Sequence, residues 1–424
     1  MRDPILQTIF YKWMIPFHRF CVWPYADSFI IFVIIITFSI TITWNEIMGY
    51  NMLLFIPLYI FVVISVIRAL HVCLYGENIN IQMDIDRNID RTYGKSVLLY
   101  NGSNVPTVYL REDNSYQNGY SYGMLIRDMA IKINYSTTRL FGKLSETSYL
   151  QIINILDNNL IAEFNGLYDA MKTYIPNLTK IELMSLQCVP ELGNMSCTCY
   201  SMYESKNNNS NVIFGRNVDW PSIGYGYLTI KVDYNKYVNL VIPGMIGCIT
   251  GWRNKYILAI NTVDAKYYDI HENRLPMALY NRTILQNFDL LGDIKSFIER
   301  TGGPMQACHL TIASNLESMC FSFYQNNGKT YIRSLSGNQS METLNWSYPD
   351  KNHPRFISNY RHSMIKNIEN NNSSNNIQKM IDILTSCQSV ITVNSILAHW
   401  EDDNLHVEVH AGNNFAADKW RLQN

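Results

Sequence analysis

Residues 196–221 read SCTCYSMYESKNNNSNVIFGRNVDWP. Within it VIFGRNVDW reads as a strand. Cys197 stands ahead of that strand; Arg216 and Asp219 stand three residues apart, on the strand and the turn expected to follow it. A thiol with an ordinary pKa of about 8.5 needs a base or a neighbouring cation to act as a nucleophile at neutrality. If Cys197 becomes the first residue of a processed chain, its own α-amine, ordinarily near pKa 7.7–8.0, supplies that base. A carboxylate such as Asp219 then holds the amine, and Arg216 stabilises the thiolate. These residues alone leave other readings open, because a cysteine ahead of a strand also serves as a small buried side chain.

After Cys197, strand-like runs dominate further along as well: YGYLTIKV, VNLVIPG, KYILAINTV, HLTIASN, CFSFYQ, TYIRSLS, SVITVNSILA and LHVEVHAG. Helical patterns at 277–288 and 292–301 interrupt them. Upstream, SVLLYN and TVYLRE read as strands, and residues 148–174 carry apolar side chains three and four apart, as amphipathic helices do. The tract NIENNNSSNN, residues 367–376, reads as a surface loop.

The N-terminal stretch differs. Residues 28–44 (SFIIFVIIITFSITITW) contain no charge, and a second apolar run extends from Met52 to about Ile67. Each approaches the roughly 17–25 residues of a membrane helix, so a two-helix transmembrane hairpin is expected, with helices at about 28–44 and 52–70. Arg2, Lys12, Arg19 and Arg68 flank it, which by the positive-inside tendency places both ends and the following domain in the cytoplasm. The chain thus divides into a membrane hairpin (1–77), a small chain or propeptide (78–196) and a catalytic large chain (197–424).

With 34 basic and 35 acidic residues among 424, there is no electrostatic footprint for nucleic acid. The chain is 47% hydrophobic and 16% charged, enough to bury a core. Nine cysteines show no CxxC pair and no zinc-finger spacing. His406, Glu408 and His410 alternate on one strand and share a face that suits a metal ion, but they also read as the exposed face opposite Leu405, Val407 and Val409. No cofactor or metal is expected, and no G-x-S-x-G elbow is present.

The stretch beginning at Cys197 resembles the start of the catalytic chain in the cysteine Ntn-hydrolases: acid ceramidase, N-acylethanolamine acid amidase, the bile-salt hydrolases and the penicillin acyltransferase (peptidase C45) group. Their pattern is Cys-Thr-Ser, a hairpin, then Gly-Arg-Asn-x-Asp; here Cys199 stands in the third place and the hairpin is longer. Upstream, QNGYSYGMLIRD and EFNGLYDAMK are similar to the family's small chain; downstream, PGMIGCITGWRNKYILAINTVD, LNWSYPDKNHPRFISNYR and TVNSILAHWEDDNLHVEVHAG keep its order. The resemblance spans Asn78 to the C-terminus. It implies an α+β fold, the four-layer αββα sandwich of two stacked antiparallel sheets, and a heterodimer made of the protein's own two chains after cleavage at Ser196–Cys197. It implies hydrolysis of linear, non-peptide amides, or acyl transfer through the same acyl-enzyme, and a lumenal site, against the charge bias. The implied roles are nucleophile for Cys197, thiolate stabiliser for Arg216, amine holder for Asp219, oxyanion donors for Asn345 and Asn261, and a supporting role for Arg361. Cys199 is the rival nucleophile. A membrane hairpin beside such a site points to lipid amides such as ceramides or N-acylethanolamines; a non-catalytic, membrane-tethered binding module is the competing class.

Overall fold

The computed structural model describes residues 90–100, 105–130, 143–192, 196–206, 209–219, 229–263, 273–324, 329–334, 340–344, 356–370, 376–388, 392–401 and 403–411. All belong to the second of two compact units, Met83–Asn424. The expected membrane hairpin lies outside the described residues; among those described, no helix is long and apolar enough to cross a membrane.

The unit is α+β. Its larger sheet has the strand order β1 (Arg91–Tyr93), β2 (Ser96–Leu99), β3 (Thr107–Tyr109), β6 (Ile230–Asp233), β7 (Val238–Val241), β8 (Thr250–Arg253), β9 (Tyr256–Thr262), β10 (Cys308–Ser314), β11 (Ser318–Tyr324) and β12 (Lys329–Ser334). Neighbours are antiparallel except β3 and β6, which run parallel. The smaller sheet is antiparallel throughout, in the order β13 (Ser340–Leu344), β4 (Ser196–Lys206), β5 (Asn209–Asp219), β14 (Thr392–Glu401) and β15 (Asn404–Ala411). The expected hairpin is β4 and β5, paired from Ser196↔Asp219 to Lys206↔Asn209. Asp219 is therefore the last residue of a strand and not part of a turn after it, because the pairing with Ser196 extends the ladder that far.

Period-two alternation sends the two sides of this hairpin to different neighbours. Cys199, Val212 and Phe214, with Ile396 and Ala398 of β14, pack against Leu240, Ile257, Ala259, Ala313 and Cys320 of the larger sheet. On the opposite face, Tyr200, Met202, Ile213 and Leu397 pack against Ile365 of α8 (Phe356–Glu369) and Met380, Ile383 and Leu384 of α9 (Asn376–Cys387). Gly215 permits this closeness: a first side-chain carbon there would lie 2.3 Å from the Met380 sulfur. β9 and β10 are buried along their whole length, and they carry buried polar side chains (Asn261, His309, Thr311) among their apolar residues. The outer side of the larger sheet is covered by α6 (Met277–Asn287), where Cys248 N–H donates to the Ala278 carbonyl at 2.7 Å.

The segment before position 196 adds α1 (Ser115–Leu125), α2 (Glu146–Ile155), α3 (Asn158–Lys172), α4 (Lys180–Gln187) and the single turn α5 (Val189–Leu192). The periodic run 148–174 is split because Leu156 is extended and the Asp157 carboxylate accepts from Asn159 N–H, capping α3. α1 and α3 touch backbone to backbone: a Cβ at Gly119 would meet the Glu163 carbonyl at 1.9 Å, and one at Gly166 the Tyr116 carbonyl at 2.0 Å. After α6 comes α7 (Leu291–Thr301). The Asn-rich tract departs from a loop at both ends: α8 continues through Glu369 and α9 starts at Asn376. Ile368 packs on the core, and Glu369 accepts hydrogen bonds from Tyr200 and Lys366, which carries the helix to that point.

Candidate active site

Cys197 and Cys199 lie on the face of β4 that looks toward the larger sheet, and Arg216 sits directly opposite Cys199 on β5. The Arg216 guanidinium, fully buried, reaches across the gap between the sheets. Nη1 donates to the Ile249 carbonyl at 2.7 Å and to the Thr250 hydroxyl; Nη2 donates to the Ile260 carbonyl and, at 3.4 Å, to the Cys197 sulfur. Every one of these acceptors is neutral, so the cation is held without a carboxylate on this face. Nε is buried with no hydrogen-bond partner.

The Cys197 thiol is fully buried in the uncut chain. Burial raises its pKa, and the charge and hydrogen bond of Arg216 oppose that rise. Cys199 contrasts with it. Its thiol donates to Asn261 Oδ1 at 3.1 Å and is pushed up to about 12 by burial, so it stays protonated. The guanidinium hydrogen bond goes to Cys197, the expected nucleophile, and not to Cys199.

Asp219 points the other way, as a residue three along a strand from Arg216 must. Its backbone lies opposite Ser196, beside the peptide bond that would be cut. The carboxylate is fully buried between Arg361 of α8, which donates through Nη2 to Oδ2, and Thr392, whose hydroxyl donates to Oδ1 at 2.5 Å. Asp219 and Arg361 both act on the charge of Cys197. Four of the six expected residues (Cys197, Arg216, Asp219 and Arg361) thus meet at the start of β4 and the end of β5. Asn261 comes in from β9 with its amide nitrogen on the Thr343 carbonyl at 2.7 Å. Asn345, the residue after Leu344 in the sequence, lies outside the described residues.

The rest of the Gly-Arg-Asn-x-Asp stretch has a physical role as well. Asn217 donates to the Leu384 carbonyl and accepts from Ser395 Oγ, each at 2.7 Å, pinning α9 to the sheet. Nothing in the sequence around Thr392, Thr250 or Thr343 marks them as site residues. The hydroxyls of Thr392 and Thr250 and the Thr343 carbonyl complete the site, and each meets its partner across dozens of residues. The alternating His406 and Glu408 are exposed, while Leu405, Val407 and Val409 pack on the core between the sheets. His410 is buried with Nε2 2.6 Å from Glu408, and His406 stacks on His399 at 5.4 Å. Among the described residues, no group of His, Cys, Asp and Glu is arranged to hold a metal ion.

Compared with known proteins, the sequence matches no family model, and no curated protein matches it.

Proposed function

We propose that this chain is a cysteine amidohydrolase of the Ntn type, an αββα sandwich that cuts itself between Ser196 and Cys197 and then hydrolyses a linear, non-peptide amide. The observation that carries the reading is the pairing of Cys197 with a buried guanidinium whose acceptors are all neutral, beside a carboxylate opposite Ser196. In self-cleavage the Cys197 sulfur attacks the Ser196 carbonyl, the peptide nitrogen leaves as the α-amine of Cys197, and water hydrolyses the thioester to free the Ser196 carboxylate. In turnover the α-amine takes the thiol proton, the thiolate attacks the substrate carbonyl, and the departing amine receives the proton. Water then releases the acid from the acyl-enzyme. Arg216 favours the thiolate, and Asp219, with Arg361 behind it, holds the ammonium. The apolar runs at 28–44 and 52–67 support a membrane tether and hence an N-acyl lipid as substrate.

Expression of the full chain followed by mass determination tests this. The expected result is two fragments, the larger beginning at Cys197, with Cys197→Ala left whole and inactive. A wild-type chain that stays whole, or cleaved protein that releases no acid from N-acyl lipids or simpler amides, overturns it.

A further inference from the structure

The two cysteines share one face of one strand, yet the guanidinium hydrogen bond goes to Cys197 while Cys199 bonds to Asn261. Cys199 sits in a closed set of contacts joining both sheets. Its sulfur donates to Asn261 Oδ1 on β9 at 3.1 Å, Asn261 Nδ2 donates to the Thr343 carbonyl on β13 at 2.7 Å, and Thr343 pairs directly with Cys199 in the β13–β4 ladder. Thr311 of β10 adds a second link from the larger sheet, its hydroxyl 3.3 Å from the Thr343 hydroxyl. All four residues are buried.

A carboxamide has two ends of similar size and opposite hydrogen-bonding character. The Thr343 carbonyl only accepts and the protonated thiol donates, so a single orientation of Asn261 satisfies both. A reversed amide sets oxygen against oxygen and leaves the thiol facing N–H groups. We infer that Cys199 is a positioning residue: its S–H fixes the orientation of Asn261, so that one N–H binds Thr343 and the other is left to donate within the site. This deepens the amidohydrolase reading and rests on it, because the second N–H matters when an oxyanion forms beside Cys197. Cys199 need not contact substrate.

The test uses the full-length protein with Cys199→Ser, which keeps a donor, Cys199→Val, which keeps bulk without one, and Asn261→Leu. Infrared spectroscopy of the S–H stretch reads the contact independently of catalysis. A hydrogen-bonded band that vanishes in Cys199→Ser and moves to the position of an unbonded thiol in Asn261→Leu is expected. Self-cleavage, followed by mass, is expected to slow about tenfold or more in Cys199→Val and to return to within a few-fold of wild type in Cys199→Ser. Cys199→Ala replaces the valine variant if that fails to fold. Cleavage by the valine or alanine variant at the wild-type rate, an S–H band unchanged in Asn261→Leu, or a large fragment beginning at Cys199 overturns the inference. A wild-type chain that is never cut sinks the amidohydrolase reading instead, and the infrared shift then decides the contact alone.

Discussion

The two faces of the β4–β5 hairpin bury charge in opposite ways. Toward the larger sheet, Arg216 rests on two carbonyls, a hydroxyl and a thiol. Toward the helices, Asp219 is matched by Arg361. A buried ion pair cancels most of its own field, whereas a guanidinium held by neutral dipoles keeps a positive potential for whatever negative charge develops nearby. On this hairpin the fold thus leaves the Arg216 cation without a carboxylate partner, and leaves it next to the thiol of Cys197.

This difference can be broken most severely at Arg361. In the uncut Cys197→Ala background, Arg361→Met strands the Asp219 carboxylate and is expected to cost about 3–5 kcal/mol in urea unfolding. Adding Asp219→Asn should restore much of that loss. Arg216→Met removes a cation with no carboxylate partner and leaves the Ile249 and Ile260 carbonyls without its hydrogen bonds; a smaller cost, about 1–3 kcal/mol, is expected by the same measurement. Equal costs for the two would erase the distinction between the faces.

A third buried charge site sharpens the contrast from outside the hairpin. Glu191 of α5 accepts from Met277 N–H at the start of α6, and its second oxygen is buried with no hydrogen-bond partner. Burial pushes this carboxyl up to about 8. Its folded pKa lies above the unfolded value near 4.5, so the native state holds a proton that the unfolded chain has already released. The stability it contributes is complete below about pH 4.5 and falls away as pH rises toward 8. Glu191→Gln should match the parent at pH 4 and exceed it at pH 9 by roughly a few kcal/mol. A difference that is the same at both pH values would remove Glu191 as the source.

Much of this was legible in the sequence wherever the deciding interaction is local. The strand expected at VIFGRNVDW is β5, the family resemblance supplied its pairing in a hairpin, and the strand-like runs between 238 and 324 fall on β7, β9, β10 and β11. The period of two also implies that residues three apart on a strand face opposite ways, so the side chains of Arg216 and Asp219 leave the sheet on opposite faces. What stayed hidden was long-range. Nothing near Thr392 marks it as the hydroxyl for a carboxylate 173 residues away, and Arg361 reached Asp219 only because α8 lies across the end of the smaller sheet. The engagement of Asn261 with Thr343 likewise depends on how one sheet is stacked on the other, which no local pattern encodes.

The larger sheet is shared across position 196. β1, β2 and β3 come before it and β6 to β12 after it, joined where β3 runs parallel to β6. Gln187 binds Gly244 and Ile246, and Glu163 pairs with Arg282, across the same divide. A cut between Ser196 and Cys197 would therefore change the molecularity of unfolding before it changed the shape of the protein. Refolding would pass from first order to second order in chains, and the melting midpoint would begin to depend on concentration. Loss of either fragment during unfolding would make the transition irreversible on dilution, so a single scission would convert a self-sufficient fold into one that must find its other half to re-form.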